Sequence, residues 1–278
     1  MTVAFVTGAN QGLGLSLVRG LCRQLGDSGT VYLSARDPER GRAAIEQLRA
    51  EGLDPVFCPL DVQDASQVEM AAELMRERHG WVDIVISNAA HRRTRDRSDA
   101  ETVRSFIDTN NHGTHRMIRA FSPLLNDNAR FIVVASAFGR LQYLPEHLRA
   151  RFDTSTMTLE HLETLLEDYT ELVEAGKDRD AGWPESINIP SKIAQVAAMR
   201  VMARDYNRER GILINAACPG LIDTEASRPW FDDMSAAKTP DEGATDVLRL
   251  ATLPAGTTDP YGELVQYREI LSWTPRPA

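Results

Sequence analysis

Lysine is almost missing from this 278-residue chain. Lys177, Lys192 and Lys238 are the only three among 31 basic residues, and the rest are arginine. Arginine keeps its proton at physiological pH, whereas a desolvated lysine gives it up, so each of these three positions is informative. Cysteine is scarce too. Cys22, Cys58 and Cys218 are odd in number and sit in apolar stretches, which argues against a disulfide framework and for reduced thiols in a cytoplasmic protein. No apolar run approaches the roughly 20 residues that a membrane helix needs. Val3-Ala4-Phe5-Val6 enters the fold at once, so no signal peptide is expected. Positive charge is in deficit: the net charge of −9 excludes the cationic footprint of a protein that scans nucleic acid. Internal repeats and low-complexity tracts are absent.

What is present is a regular alternation. Apolar runs of strand length fall at Val3–Thr7, Thr30–Ala35, Val56–Leu60, Ile84–Ser87, Phe131–Ala135, Leu213–Ala217 and Glu263–Tyr267. They are short and uniformly apolar, as buried parallel strands are. Amphipathic stretches separate them, with recognisable starts: Asp37-Pro38 is a cap followed by a first-turn proline, and Asp64 with Gln67 and Ser98 with Glu101 form capping-box pairs. Thr239-Pro240-Asp241-Glu242 combines both signals. The pattern predicts an α/β fold, a Rossmann-like doubly wound parallel sheet of about seven strands flanked by helices, with ligands at the carboxyl ends of the strands. One stretch breaks the rhythm. Residues 138–184 carry no strand signal, and Leu159, Leu162, Leu165, Leu166 and Val173 fall at helical spacing. This is a helical insertion at the edge of the site, and 42% hydrophobic composition is enough for one core spanning 1–278.

The first strand runs into Thr7-Gly8-Ala9-Asn10-Gln11-Gly12-Leu13-Gly14. Glycines at 8, 12 and 14 let the backbone turn tightly and approach a pyrophosphate, which the N–H groups of the following helix would receive. The second strand ends in Ala35-Arg36, with Arg40 one turn later. A site preferring NAD places a carboxylate at this strand end for the ribose 2′-hydroxyl; two guanidinium groups suit the 2′-phosphate of NADP(H). Asp37 competes with that reading, but Pro38 makes it a helix cap. Asp61-Val62 after the third strand and Ser87-Asn88-Ala89-Ala90 after the fourth line the same crevice.

Together these residues resemble the short-chain dehydrogenase/reductase family. The glycine pattern, Asp61-Val62, Asn88-Ala89, Thr109-Asn110, Val133-Val134-Ala135-Ser136, Ser191-Lys192 and Cys218-Pro219-Gly220 with Thr224 match it in order. Within the family the chain is similar to the monomeric carbonyl reductases, through Ser34-Ala35-Arg36-Asp37, the helical insertion and the Gly182-Trp183-Pro184 lead-in to Lys192. The resemblance implies an active site of Asn, Ser, Tyr and Lys. Asn110 would anchor a water and the helix geometry, Ser136 would hydrogen-bond the substrate carbonyl oxygen, and Lys192 would bind the nicotinamide ribose and lower the pKa of a tyrosine. It also implies an NADP(H) cofactor with no metal, a small-molecule carbonyl or aromatic, polyketide-like substrate, no nucleic-acid or membrane partner, and a monomer.

The tyrosine is missing. It belongs four residues before the lysine, one helical turn away on the same face, where this sequence has Asn188. An amide can donate a hydrogen bond to a carbonyl oxygen but releases no proton near neutral pH. Three readings follow. The chain is an NADPH-dependent carbonyl (ketone or quinone) oxidoreductase with an atypical proton relay, through Lys192 or through Tyr143 or Tyr169 of the insertion. Or it is a non-redox cyclase, dehydratase or isomerase of secondary metabolism on the same scaffold. Or it is an inactive NADP-binding regulatory protein. His91-Arg92-Arg93-Thr94-Arg95-Asp96-Arg97 would overhang the substrate mouth or form a solvated loop. Trp230-Phe231 would wall the site or pack into the core.

Overall fold

The computed structural model describes residues 1–206 and 208–275. Its sheet holds β1 (Thr2–Val6), β2 (Gly29–Ala35), β3 (Val56–Pro59), β4 (Val82–Ser87), β5 (Leu125–Val134), β6 (Leu213–Ala217), β7 (Leu264–Gln266) and β8 (Glu269–Leu271) in the order β3-β2-β1-β4-β5-β6-β7-β8. All neighbours pair in parallel except β7 and β8. All seven expected strands are present, and the eighth is an addition. It returns from β7 through Tyr267 and Arg268, both at positive φ (50° and 69°). β5 begins at Leu125, well before the expected Phe131, with Asn128 at φ 61° kinking its start.

Chain order reverses beside β1, whose two neighbours are β2 and β4. That is where a crevice opens at the carboxyl ends of the strands in such sheets. Helices cover both faces. Helix α1 (Gly12–Leu25), α2 (Pro38–Ala50) and α9 (Pro240–Ala251) close one apolar layer, in which Leu17, Leu21, Leu33 and Val247 are fully buried. The other layer takes α3 (Ala65–His79), α4 (Asp99–Ile107), α5 (Gly113–Phe121), the short α6 (Glu146–Arg149), α7 (Leu159–Glu174) and α8 (Asn188–Asp205). Among the described residues no helix is long and apolar enough to cross a membrane.

The caps behave as the sequence implies at three of four starts. Asp37 accepts from the Glu39 and Arg40 amides, and Ser98/Glu101 and Thr239/Glu242 form reciprocal boxes. At α3 the expected box is replaced. Asp64 caps the helix, but the Gln67 carbonyl turns to the Asp61 amide at 2.9 Å, because the Gln67 amide is drawn to the Asp64 carboxylate, also at 2.9 Å.

Helix α7 lies within the stretch expected to be helical. Leu162, Leu165, Leu166, Tyr169 and Val173 are buried, against α4 and α8. Ion pairs fasten its other face: Arg104 of α4 to Glu167 and Glu174 (2.7 and 2.8 Å), and Arg119 of α5 to Glu163 and Glu160 (2.6 and 2.9 Å). His112, His115 and Glu163 bring their ligating atoms within 4.8 Å of one another, yet the carboxylate already closes on Arg119. The His115 ring is fully buried, and burial pushes its pKa down, while the His115 hydrogen bond holds the Glu163 carboxyl down at about 2. The cluster is a stitch between α5 and α7.

Candidate active site

The glycine loop is built by packing as much as by freedom. Gly8 has φ +61°, and a Cβ there would lie 2.7 Å from the Ala89 Cα. At Gly14 a Cβ would meet the Gly8 carbonyl oxygen at 2.4 Å and the Asn88 amide nitrogen at 2.7 Å. Asn88 in turn locks the loop, donating to the Thr7 and Gly8 carbonyls at 2.9 and 3.1 Å. The Thr7 hydroxyl accepts the Asn88 and Ala89 amides. Helix α1 starts after Gln11 with no side-chain cap, so its first N–H groups are left for a ligand. Asn10 is half-buried and Gln11 exposed on the turn. This cradle fits a dinucleotide pyrophosphate.

Arg36 and Arg40 are exposed beyond β2. Arg40 leans toward Asp37 at 3.6 Å, whereas Arg36 has no hydrogen bond or ion pair among the described residues. After β3, Asp61 accepts the Gln63 amide at 3.0 Å, and Val62 is buried against Gly113.

A cleft of about 650 Å³ opens beside this loop. Leu13, Asn88, Ser136, Asn188, Lys192, Gly220 and Thr224 line it together, so residues far apart in sequence meet at one place. Ser136 follows β5. Asn188 is the first residue of α8, and Lys192 comes one turn later. Pro190 fits between them because first-turn N–H groups need no helical partner. The Asn188 side chain makes no hydrogen bond among the described residues. Pro219 is buried behind Gly220, which has φ +83°, and Thr224 pairs with Ser227 over Gly12.

No tyrosine lines the cleft among the described residues. Tyr143 accepts from Arg140 at 3.0 Å and stacks edge-on with Phe138. Tyr169 is fully buried against Trp183, ring centres 4.6 Å apart. Burial, with help from Asp178 and Asp99, pushes its pKa up. His91 does line the cleft, but burial pushes its pKa down. Its Nε2 faces the Ser105 hydroxyl at 3.2 Å, and its Nδ1 is sealed from solvent without a partner among the described residues.

Lys192 is a proton carrier in the cleft whose pKa is drawn toward neutrality: burial pushes it down to about 8, and Cys218 offsets this only in part. No carboxylate lines the cleft among the described residues. Asn110 lies behind the lysine in a π-helical turn, Asp108–His112, which sets its side chain on the His91 amide at 2.8 Å. Its carbonyl takes the Gln195 amide at 2.9 Å and the Thr114 hydroxyl at 2.7 Å.

The mouth has aromatic and cationic walls. Phe106, Phe138, Trp230 and Phe231 line it, as do Arg92 and Arg93. Arg93 lies 4.5 Å over the Trp230 ring and binds Asp99 and Ser186 at 2.5 and 3.2 Å. Arg92 reaches Glu225 at 2.9 Å. Gln195 and this arginine–tryptophan latch escape the sequence reading. The first has a signal, a lone amide in the apolar run Ile193-Ala194-Gln195-Val196-Ala197; the second joins segments too distant to pair by spacing.

A switch-point crevice with a glycine cradle on one side and a serine–lysine cleft on the other is the architecture of a nucleotide-dependent oxidoreductase. The chain belongs to the short chain dehydrogenase family, whose model matches residues 2–147. It is 35% identical to carbonyl reductase [NADPH] 1 of Bos taurus over 98% of both chains. To the Homo sapiens protein of that name it is 34% identical, again over 98% of both. Among solved structures it is similar to menthone neomenthol reductase from Mentha piperita, with a TM-score of 0.77 and 26% identity over 95% of this chain and 97% of that one. Salutaridine reductase from Papaver somniferum shares the fold at a TM-score of 0.83, with 24% identity, over 95% and 99% of the two chains.

Proposed function

We propose that this protein is an NADPH-dependent carbonyl oxidoreductase in which the Lys192 ammonium, in place of a phenol, gives the proton to the substrate oxygen. The observation that carries this reading is the convergence of Ser136, Asn188 and a Lys192 whose pKa burial pushes down on one cleft that, among the described residues, no carboxylate lines. Residues 1–278 form one dinucleotide-binding domain in this reading, with 138–184 as an insertion whose helix α7 shares the core.

Gly8, Gly12 and Gly14 with the free amides of α1 hold the pyrophosphate, and Asn10, Gln11 and Leu13 border it. Arg36 and Arg40 take the 2′-phosphate. Asp61 and Val62 border the adenine, and Asn88, Ala89, Pro219, Gly220 and Thr224 the nicotinamide end. When bound, the cofactor supplies the hydride. Ser136 and Asn188 donate hydrogen bonds to the carbonyl oxygen, where negative charge builds as the carbon is reduced. One N–H bond of the Lys192 ammonium breaks, the O–H bond of the alcohol forms, and a neutral amine remains. The aromatic walls support a flat aromatic or polyketide-like carbonyl substrate.

The test is a panel of aromatic ketones and quinones with NADPH followed at 340 nm. One alcohol or hydroquinone per NADPH is expected, with kcat for reduction falling as pH rises through about 8, because the acid form of Lys192 is then lost. Product formed without cofactor oxidation would overturn the reading. Arg36→Ala should cut the preference for NADPH over NADH about ten- to a hundredfold, the worth of one charge-assisted hydrogen bond. An unchanged ratio of the two kcat/KM values would take Arg36 out of the phosphate site.

A further inference from the structure

Behind Lys192 stands a side chain that neither spacing nor family resemblance singles out. Gln195 is 2% exposed, one turn along α8 from the lysine. Its Oε1 lies 2.7 Å from the Lys192 Nζ, and its Nε2 lies 2.9 Å from the Asn110 carbonyl oxygen and 3.5 Å from the Thr114 hydroxyl. The orientation of the amide is fixed by chemistry. An ammonium only donates and a carbonyl only accepts, so the glutamine oxygen must face the lysine and its nitrogen must face Asn110. No other uncharged side chain of this length serves both ends.

We propose that Gln195 is a positioning residue that clamps the Lys192 amine to the Asn110 carbonyl of the π-helical turn. The inference rests on the reading of Lys192 as proton donor. It accounts for three features at once. The half-buried ammonium has, among the described residues, only one other hydrogen bond, to the Val134 carbonyl at 3.5 Å, so without Gln195 it would lack a close acceptor. The π-helical turn brings the Asn110 carbonyl to the amide, and Asn111 fastens the same turn to α8 through the Ser191 carbonyl and hydroxyl, both at 2.8 Å. Neutral acceptors leave the ammonium held by dipoles and no counter-charge, which keeps its proton labile.

The charges around the amine are few. From the end of β6, Cys218 acts on it, itself pushed up by burial and influenced by Arg140. From the segment after β4, His91, Arg92 and Arg93 share its cleft. The π-helical turn presents Asp108, which is paired with Arg116 at 2.8 Å. Gln195 is thus the nearest polar group, and changing its charge should dominate.

Three lysines in the whole chain make a direct test practical. Lysine labelled with ¹³C at Cε gives three signals, and that of Lys192 is identified by its loss in Lys192→Arg. Gln195→Glu sets a carboxylate against the ammonium and should raise its titration midpoint by about one pH unit or more; Gln195→Met removes the acceptor and should lower it by about as much. In the unmodified enzyme one glutamine side-chain amide should titrate with the same midpoint as Lys192, a measurement that needs no variant to fold. Shifts of opposite sign, with the shared midpoint, establish the clamp. Midpoints that stay put in both variants, or move in the same direction, overturn it. The pH profile of kcat separates the two claims. If the lysine midpoint moves as expected and the kinetic limb does not follow, the clamp stands and Lys192 as proton donor falls.

Discussion

Asn188→Tyr is expected to raise kcat for ketone reduction about a hundredfold or more. A positioned general acid is worth roughly 10²–10⁴ in rate, and the location is ready for one. Asn188 opens α8, lines the same cleft as Ser136, and stands one turn from Lys192. Its amide has no partner within the described protein, so exchange breaks no hydrogen bond made by the side chain. A phenol there would lie beside an amine whose positive charge favours the phenolate and so strengthens the acid. Single-turnover rates with saturating NADPH would read the gain without interference from product release. No gain, with cofactor affinity intact, would mean that proton supply does not limit the enzyme, and would favour chemistry without net hydride transfer.

Lys192→Arg should produce the opposite result, a fall in kcat of about 10²–10⁴ with the limb near pH 8 abolished. Arginine keeps the positive charge that the ribose hydroxyls meet, but it does not release a proton in this range. The substitution therefore separates binding from proton transfer. NADPH affinity should change little, and kcat should carry the loss. The pH limb is the sharper readout, since burial places the lysine at about 8 while no other cleft residue that titrates has a pKa pushed into that region. Retention of the limb in Lys192→Arg would assign it to another group and remove Lys192 from the proton-donor role.

Most of the sheet was legible because β1, β2, β4 and β6 are buried on both faces over most of their length and are therefore nearly uniformly apolar. The part that was not legible is β8. Glu269-Ile270-Leu271 is short and its first two residues are exposed, and the turn before it uses Tyr267 and Arg268 at positive φ in place of the usual glycine or asparagine. The early start of β5 hid behind Asn126-Asp127-Asn128, which reads as a turn. Within the site, Ser136, Asn188 and Lys192 were singled out by the motifs that resemble the short-chain dehydrogenase/reductase family, and strand ends and helical spacing only located them. Gln195 was not, because its role depends on a π-helical turn in another helix bringing a carbonyl to it, and no local pattern records that distance. The arginine–tryptophan latch escaped for the same reason: Arg93 and Trp230 are brought together only by the fold.

On the reading of Lys192 as proton donor, the amide behind it would also decide where fresh protons come from. A carboxamide near neutral pH holds hydrogen bonds but does not ferry protons across itself, so the rear wall of the amine is insulated. A lysine spent in one turnover would then be recharged from the front, through the mouth framed by Arg93, Trp230 and Phe231. Reloading with acid then waits on departure of the alcohol, and solvent isotope effects should gather in the release phase of the cycle.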